Sequence, residues 1–139
     1  IACSVNHRLA KARKISLDDL GASHWVLPSR ESLSRRALED AFLIRGRAAP
    51  TPLIEVSSFF YGLEMVAHSD VLTVAPRTAI RTQERLGLVR ILKTPLQMKP
   101  TTIYWMRRRS TDADVTLDGL EQWVLRLRRK EGRAPSESR

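Results

Sequence analysis

The residues best placed to do chemistry sit at three short junctions, Pro28-Ser29-Arg30, Ser57-Ser58 and Pro76-Arg77-Thr78. At each, an apolar run gives way to an amphipathic one. A helix starting there presents unpaired backbone N–H groups that hold carboxylate, sulfate or phosphate. Serine hydroxyls donate or accept at such a place, and Arg30 offers a guanidinium suited to two-point contact with a carboxylate. The plainer reading makes each serine an N-cap that serves its own helix. Convergence of the three junctions on one edge of a sheet is what separates the two readings.

Other chemistry is poorly supported. His7, His24 and His68 have no metal-ligand spacing among themselves or with Cys3. No nucleophile elbow, phosphate-cradling glycine loop or dinucleotide fingerprint occurs. Cys3, in an apolar opening segment, reads as a small buried hydrophobe, and as the single cysteine it excludes an internal disulfide. Asp18 and Asp19 are adjacent and do not face each other on a helix, so they charge a helix N-terminus rather than form a catalytic pair. The sequence therefore points to binding rather than catalysis: no enzyme, no cofactor and no metal.

The elements that must position the junctions follow from periodicity. Trp25 to Pro28, Leu53 to Val56, Val71 to Val74 and Leu88 to Leu92 read as strands. Between them Glu31 to Arg45, Phe59 to His68 and Thr78 to Leu86 read as helices. This alternation predicts parallel βαβ units, an α/β fold, with ligands held where strands end and helices begin. Ser29 or Ser32 caps the first long helix, which turns Leu33, Ala37, Leu38, Ala41 and Phe42 inward and Arg35, Arg36, Glu39 and Asp40 outward, with Arg36 and Asp40 as an ion pair. Phe59, Phe60, Leu63 and Val66 of the next helix point to a core, and Gly62 marks close packing or a place for movement.

Residues 1–5 form a short strand, Asn6 to Lys14 a basic connector, and Ser16 caps a helical turn through Leu20. After Leu92 come a proline-bearing connector, a strand from Thr101 to Met106 and a helix capped by Thr116. That helix carries Leu117, Leu120, Trp123, Val124 and Leu127 along one stripe. Residues 131–139 read as a disordered tail.

Composition bounds the class. The chain has 139 residues, 42% hydrophobic and 28% charged, the profile of one ordinary globular domain. No run approaches the roughly 18 apolar residues of a membrane span. The opening Ile1-Ala2-Cys3-Ser4-Val5 is not a signal peptide and reads as a strand cut from a longer protein. The formal net charge is +9. Its basic clusters, Arg8 to Lys14, Arg35-Arg36, Arg107 to Arg109 and Arg126 to Arg133, have few aromatics between them, which disfavours stacking on single strands. Direct contact with nucleic acid is the lesser reading.

From Asn6 to about Leu127 the chain resembles the effector-binding domain of LysR-type transcriptional regulators. Asn6-His7-Arg8-Leu9-Ala10 resembles the family's His-Pro-Leu-Ala segment, with Arg8 where proline is usual. Ile15-Ser16-Leu17-Asp18-Asp19-Leu20 followed by Trp25-Val26-Leu27-Pro28 resembles its strand entry. Ile54-Glu55-Val56-Ser57-Ser58 resembles the strand before its second helix. Ser69-Asp70-Val71-Leu72-Thr73-Val74-Ala75-Pro76-Arg77 resembles the next strand, with Ser69-Asp70 in place of a glycine-rich turn.

The resemblance implies a two-lobe architecture like that of type 2 periplasmic binding proteins. Residues 1–4 would cross from a first lobe lying mostly outside this chain, 5–101 would form the second α/β lobe, and 102–130 would return a strand and a helix to the first. A small effector, most simply an anion, would sit between the lobes against Pro28, Ser29, Arg30, Ser57 and Ser58, with Ile103 and Tyr104 near the hinge. It also implies a cytoplasmic homodimer or homotetramer that reaches DNA through a winged helix-turn-helix domain outside this chain, and no membrane partner. The alternative is a fragment of a periplasmic solute-binding protein for transport; a free-standing nucleic-acid-binding module is a third reading.

Overall fold

The computed structural model describes residues 1–100, 104, 106 and 115–131, with side chains as far as 127. The chain divides into two compact units, Ile1–Thr102 and Ile103–Arg139.

In the first unit the short apolar runs become strands β1 (Ala2–Ser4), β2 (His24–Pro28), β3 (Ile54–Val56), β4 (Val71–Thr73) and β5 (Val89–Ile91). The amphipathic runs become helices α1 (Leu17–Gly21), α2 (Leu33–Leu43), α3 (Phe59–Ala67) and α4 (Arg77–Arg85). The strands form one sheet in the order β3-β2-β4-β1-β5. β2 runs parallel to both β3 and β4. β1 runs antiparallel between β4 and β5, pairing Ala2 with Thr73 on one side and with Ile91 on the other. Four of the five strands therefore run the same way, and the reversed one, β1, lies next to the edge strand β5.

Alternation along the strands sends side chains to both faces. Trp25 and Leu27 join Cys3, Leu72, Leu38 and Phe42 on one face, beneath α1 and α2. Val26 joins Ala2, Leu63, Val66, Ile80 and Val89 on the other, beneath α3 and α4. Burying both faces is what a parallel sheet demands. The indole N–H of Trp25 donates to the Leu20 carbonyl at 2.9 Å, so its polar atom is satisfied in the core.

Chain punctuation works locally. Ser16 and Asp19 form a reciprocal capping box at α1. Gly46 and Gly87, just past α2 and α4, adopt φ of +67° and +72°, which residues with a Cβ rarely tolerate. An α3 residue comes close to the sheet: a Cβ on Gly62 would lie 3.1 Å from the Thr73 Oγ1, so close packing is the reason for this glycine.

Several expectations are corrected. α2 is shorter than the sequence pattern and starts after Ser32, whose hydroxyl accepts from the Arg35 N–H; Ser29 is not its cap. Leu33 is 59% exposed and Arg35 only 3%. Counting about 100° per residue from Leu38 puts Arg35 about 60° away and Leu33 about 140° away, so the arginine falls on the buried stripe. Its Nε donates to Glu39 Oε1 at 2.6 Å, while Arg36 donates to the Glu31 carbonyl instead of pairing with Asp40. Phe60 is 60% exposed, because the inward stripe of α3 runs through Leu63 and Val66. The basic connector contains a 3-10 helix, Arg8–Lys11, with Leu9 and Ala10 buried.

In the second unit α5 spans Val115–Glu131, so Thr116 lies inside its first turn rather than capping it. Leu117, Leu120, Trp123 and Leu127 are exposed. Tyr104 and Met106 belong to no helix or strand. The remainder of the expected strand at 101–106, and the expected tail beyond residue 131, lie outside the described residues.

Candidate functional site

The junctions gather because of topology. β3, β2 and β4 are neighbours and run the same way, so all three end at one rim of the sheet. Pro28, buried as the last residue of β2, pairs with Val56, and the Ser29 N–H donates to the Val56 carbonyl at 3.1 Å. Ser29 and Ser57 thus leave adjacent strands side by side. The junction after β4 brings Ala75, Pro76 and Arg77 to the same rim. β1 runs the other way, so its beginning joins them: the Leu92 N–H, just past β5, donates to the Ile1 carbonyl at 3.0 Å.

The hydroxyls divide by role. Ser58 is the N-cap of α3 and accepts from the Phe60 N–H, so it serves its helix. Ser32 does the same for α2. The hydroxyls of Ser29 and Ser57 hold no hydrogen bond among the described residues, Ser57 is exposed, and both remain available. Arg30 and Arg77 are exposed cations at the same edge. α4 begins at Arg77 with Pro76 as its N-cap residue, and no side chain caps it. Its first N–H groups are therefore open, beside a guanidinium.

Of the seven residues expected at the site, the structure brings together Pro28, Ser29, Arg30, Ser57 and Ser58. Ile103 lies outside the described residues, and Tyr104, in the second unit, is 75% exposed. Sequence reading missed Phe60 and Tyr61, exposed aromatics in the first turn of α3 beside Ser57-Ser58. Their signal was a pair of large residues off the inward stripe.

An open concavity of about 640 Å³ lies at the opposite rim, lined by Ser4, Asn6, His7, Arg8, Ala67, His68, Ser69 and Asp70. It is a polar hollow around the end of β1, remote from the junctions. A smaller cavity of about 130 Å³ lies between the second half of α2 and Gln97 and Lys99. Neither presents the start of an α-helix; the larger holds the start of the 3-10 helix, where the His7 side chain already caps the Leu9 N–H. Among the described residues no group of three or more His, Cys, Asp or Glu side chains converges on a metal position, and no helix is long and apolar enough to cross a membrane.

Comparison with known proteins gives a consistent picture. Residues 1–128 match the family model described as the LysR substrate binding domain. The HTH-type transcriptional regulator GbpR of Rhizobium radiobacter is 32% identical over 74 residues, 51% of this chain and 24% of that protein, so the chain spans about a quarter of the relative's length. The crystal structure of a probable transcriptional regulator from Pseudomonas aeruginosa superposes with a TM-score of 0.57 at 17% identity, covering 71% of this chain and 33% of that one, which shows a shared fold.

Proposed function

We propose a sensing role for this chain, which belongs to the LysR substrate-binding domain family. A small effector, anionic in its contacts, is held against the rim formed by Pro28, Ser29, Arg30, Ser57 and Ser58, with Arg77 at its end. One observation carries this reading: three neighbouring parallel strands deliver helix starts to one rim where the hydroxyls of Ser29 and Ser57 are unused. No covalent step is required. Binding that favours one arrangement of lobes or subunits shifts a population of DNA-bound oligomers.

In this proposal residues 1–4 arrive from a first lobe, 5–101 form the second, and 102–130 return to the first. Ile103 and Tyr104 lie near the crossing. The functional protein is a cytoplasmic homodimer or homotetramer that meets DNA through a helix-turn-helix domain outside this chain. The transport alternative is not favoured, because the family match and the named relative are regulatory.

A thermal-shift screen with small organic acids tests the reading. A ligand at 100 times its Kd raises stability by about 2.7 kcal/mol. Ser29→Ala and Ser57→Ala should leave the ligand-free melting temperature nearly unchanged and reduce the ligand-induced shift. Ser58→Ala should lower the ligand-free value, since loss of a cap costs about 1 kcal/mol. An acid that stabilises all three variants as well as the parent places its site elsewhere. Stabilisation by neutral molecules alone removes the anionic part of the proposal.

A further inference from the structure

α4 carries a row of arginines. Arg77, Arg81 and Arg85 recur at every fourth position and all three are exposed. Ile80, on the inward face, is 2% exposed. Among the described residues none of the three arginines makes an ion pair. The carboxylate of α4, Glu84, is already engaged, its Oε1 accepting from the Ile91 N–H at 3.0 Å. On neighbouring α3, Glu64 faces His68 at 3.3 Å.

Arg85 suits the C-terminal end of the helix dipole, but the rest of the arrangement works against the helix that bears it. Like charges four residues apart repel along a helix face. Arg77 in the first turn opposes the helix dipole, and no side-chain cap offsets it. Local choices that conflict with the fold concentrate at places selected for another purpose.

We propose that the Arg77-Arg81-Arg85 row docks on the phosphate backbone of duplex DNA. A rise of about 1.5 Å per residue puts successive arginines about 6 Å apart and the ends of the row about 12 Å apart. A duplex presents a phosphate every 3.4 Å or so of axis on each strand, so the row covers roughly three to four of them. Guanidinium groups match phosphate oxygens two at a time. Contacts of this kind position a protein on a duplex without reading its sequence. A lipid surface fits less well. Helices that lie on membranes keep an apolar face for the acyl boundary, whereas Ile80 of α4 is used on the sheet. Arg77 is shared with the effector rim proposed above, but Arg81 and Arg85 lie beyond it, so the test uses these two alone.

The test measures fluorescence anisotropy of a labelled mixed-sequence duplex with the 139-residue chain between about 50 and 200 mM salt. The slope of log affinity against log salt should fall by about two in Arg81→Gln/Arg85→Gln, about one for each phosphate no longer neutralised. The weakening should be alike for duplexes of different sequence. Lys11→Gln/Lys14→Gln removes the same charge from the other side of the sheet and should keep most of the slope. Relief of like-charge repulsion offsets the loss of Arg85 from the helix C-terminus, so the arginine variant should melt at nearly the same temperature, which separates a binding defect from a folding defect. Equal reductions in the two double variants reduce the effect to diffuse charge and overturn the proposal. Absence of salt-dependent DNA binding overturns it too, as does binding to phosphatidylglycerol vesicles in place of DNA.

Discussion

His7 uses both ring nitrogens in a buried position. Nδ1 accepts from the Leu9 N–H at 3.0 Å, capping the 3-10 helix, and Nε2 lies 3.1 Å from Asp70 Oδ1. That pattern needs the neutral ring with its hydrogen on Nε2. Burial holds the pKa below the ordinary 6.5; Asp70 pulls it back up and Arg8 pushes it down. The unfolded chain then binds a proton that the folded chain resists. Stability from this residue is complete above about pH 6.5 and is lost as pH falls through the lower folded value. His7→Ala should cost about 1–3 kcal/mol at neutral pH by orphaning the Leu9 N–H. Denaturant titrations between about pH 5 and 7 should show a weaker pH dependence in the variant than in the parent. A parent curve that is flat over that range removes His7 as the source. Arg35 makes a related point: it is buried with Nε on Glu39 and its Nη1 without a partner, so a charged residue occupies a core position at some expense.

Among the elements, α3 and β4 meet most closely at Gly62 and Thr73. Gly62→Ala gains about 1 kcal/mol of helix propensity, yet its Cβ lies 3.1 Å from Thr73 Oγ1, tighter than ordinary contact. The overlap should win, with a net loss of roughly 1–2 kcal/mol in the parent background. In Thr73→Ala, where the obstructing oxygen is gone, the same change should be neutral or stabilising. A double-mutant cycle in urea reads the difference, and additive effects would deny the contact. The alternation of strands and helices was legible because apolar runs of period two and period 3.6 are local signals. So were the three junctions, which follow from where those runs change. The position of β1 was not legible: a three-residue strand, reversed between β4 and β5, is fixed by partners about 70 and 90 residues away. Arg35 and Phe60 were misplaced because residue type outweighed helical phase. The 3-10 helix was missed because a histidine cap is rare.

At the scale of the whole first unit, Cys3 reports on the sheet. It is fully buried in β1 and burial pushes its thiol up to about 11. The thiolate is the reactive form. Labelling with a maleimide near neutral pH should therefore be slow in the native chain and should accelerate with denaturant in step with global unfolding. Fast labelling without denaturant would mean that β1 detaches while the rest stays folded. The second unit supplies no comparable probe, since the chain has a single cysteine.

β1 pairs Ala2 with Thr73 and with Ile91, so the first residues of the sheet find their partners only among the last. Such pairings close long loops and form slowly. β2, β3 and β4 can assemble in chain order, whereas β1 waits for β4 on one side and for β5 on the other. Until those partners are made, β1 is an unpaired apolar strand, the kind of exposed edge that favours association between incompletely folded chains.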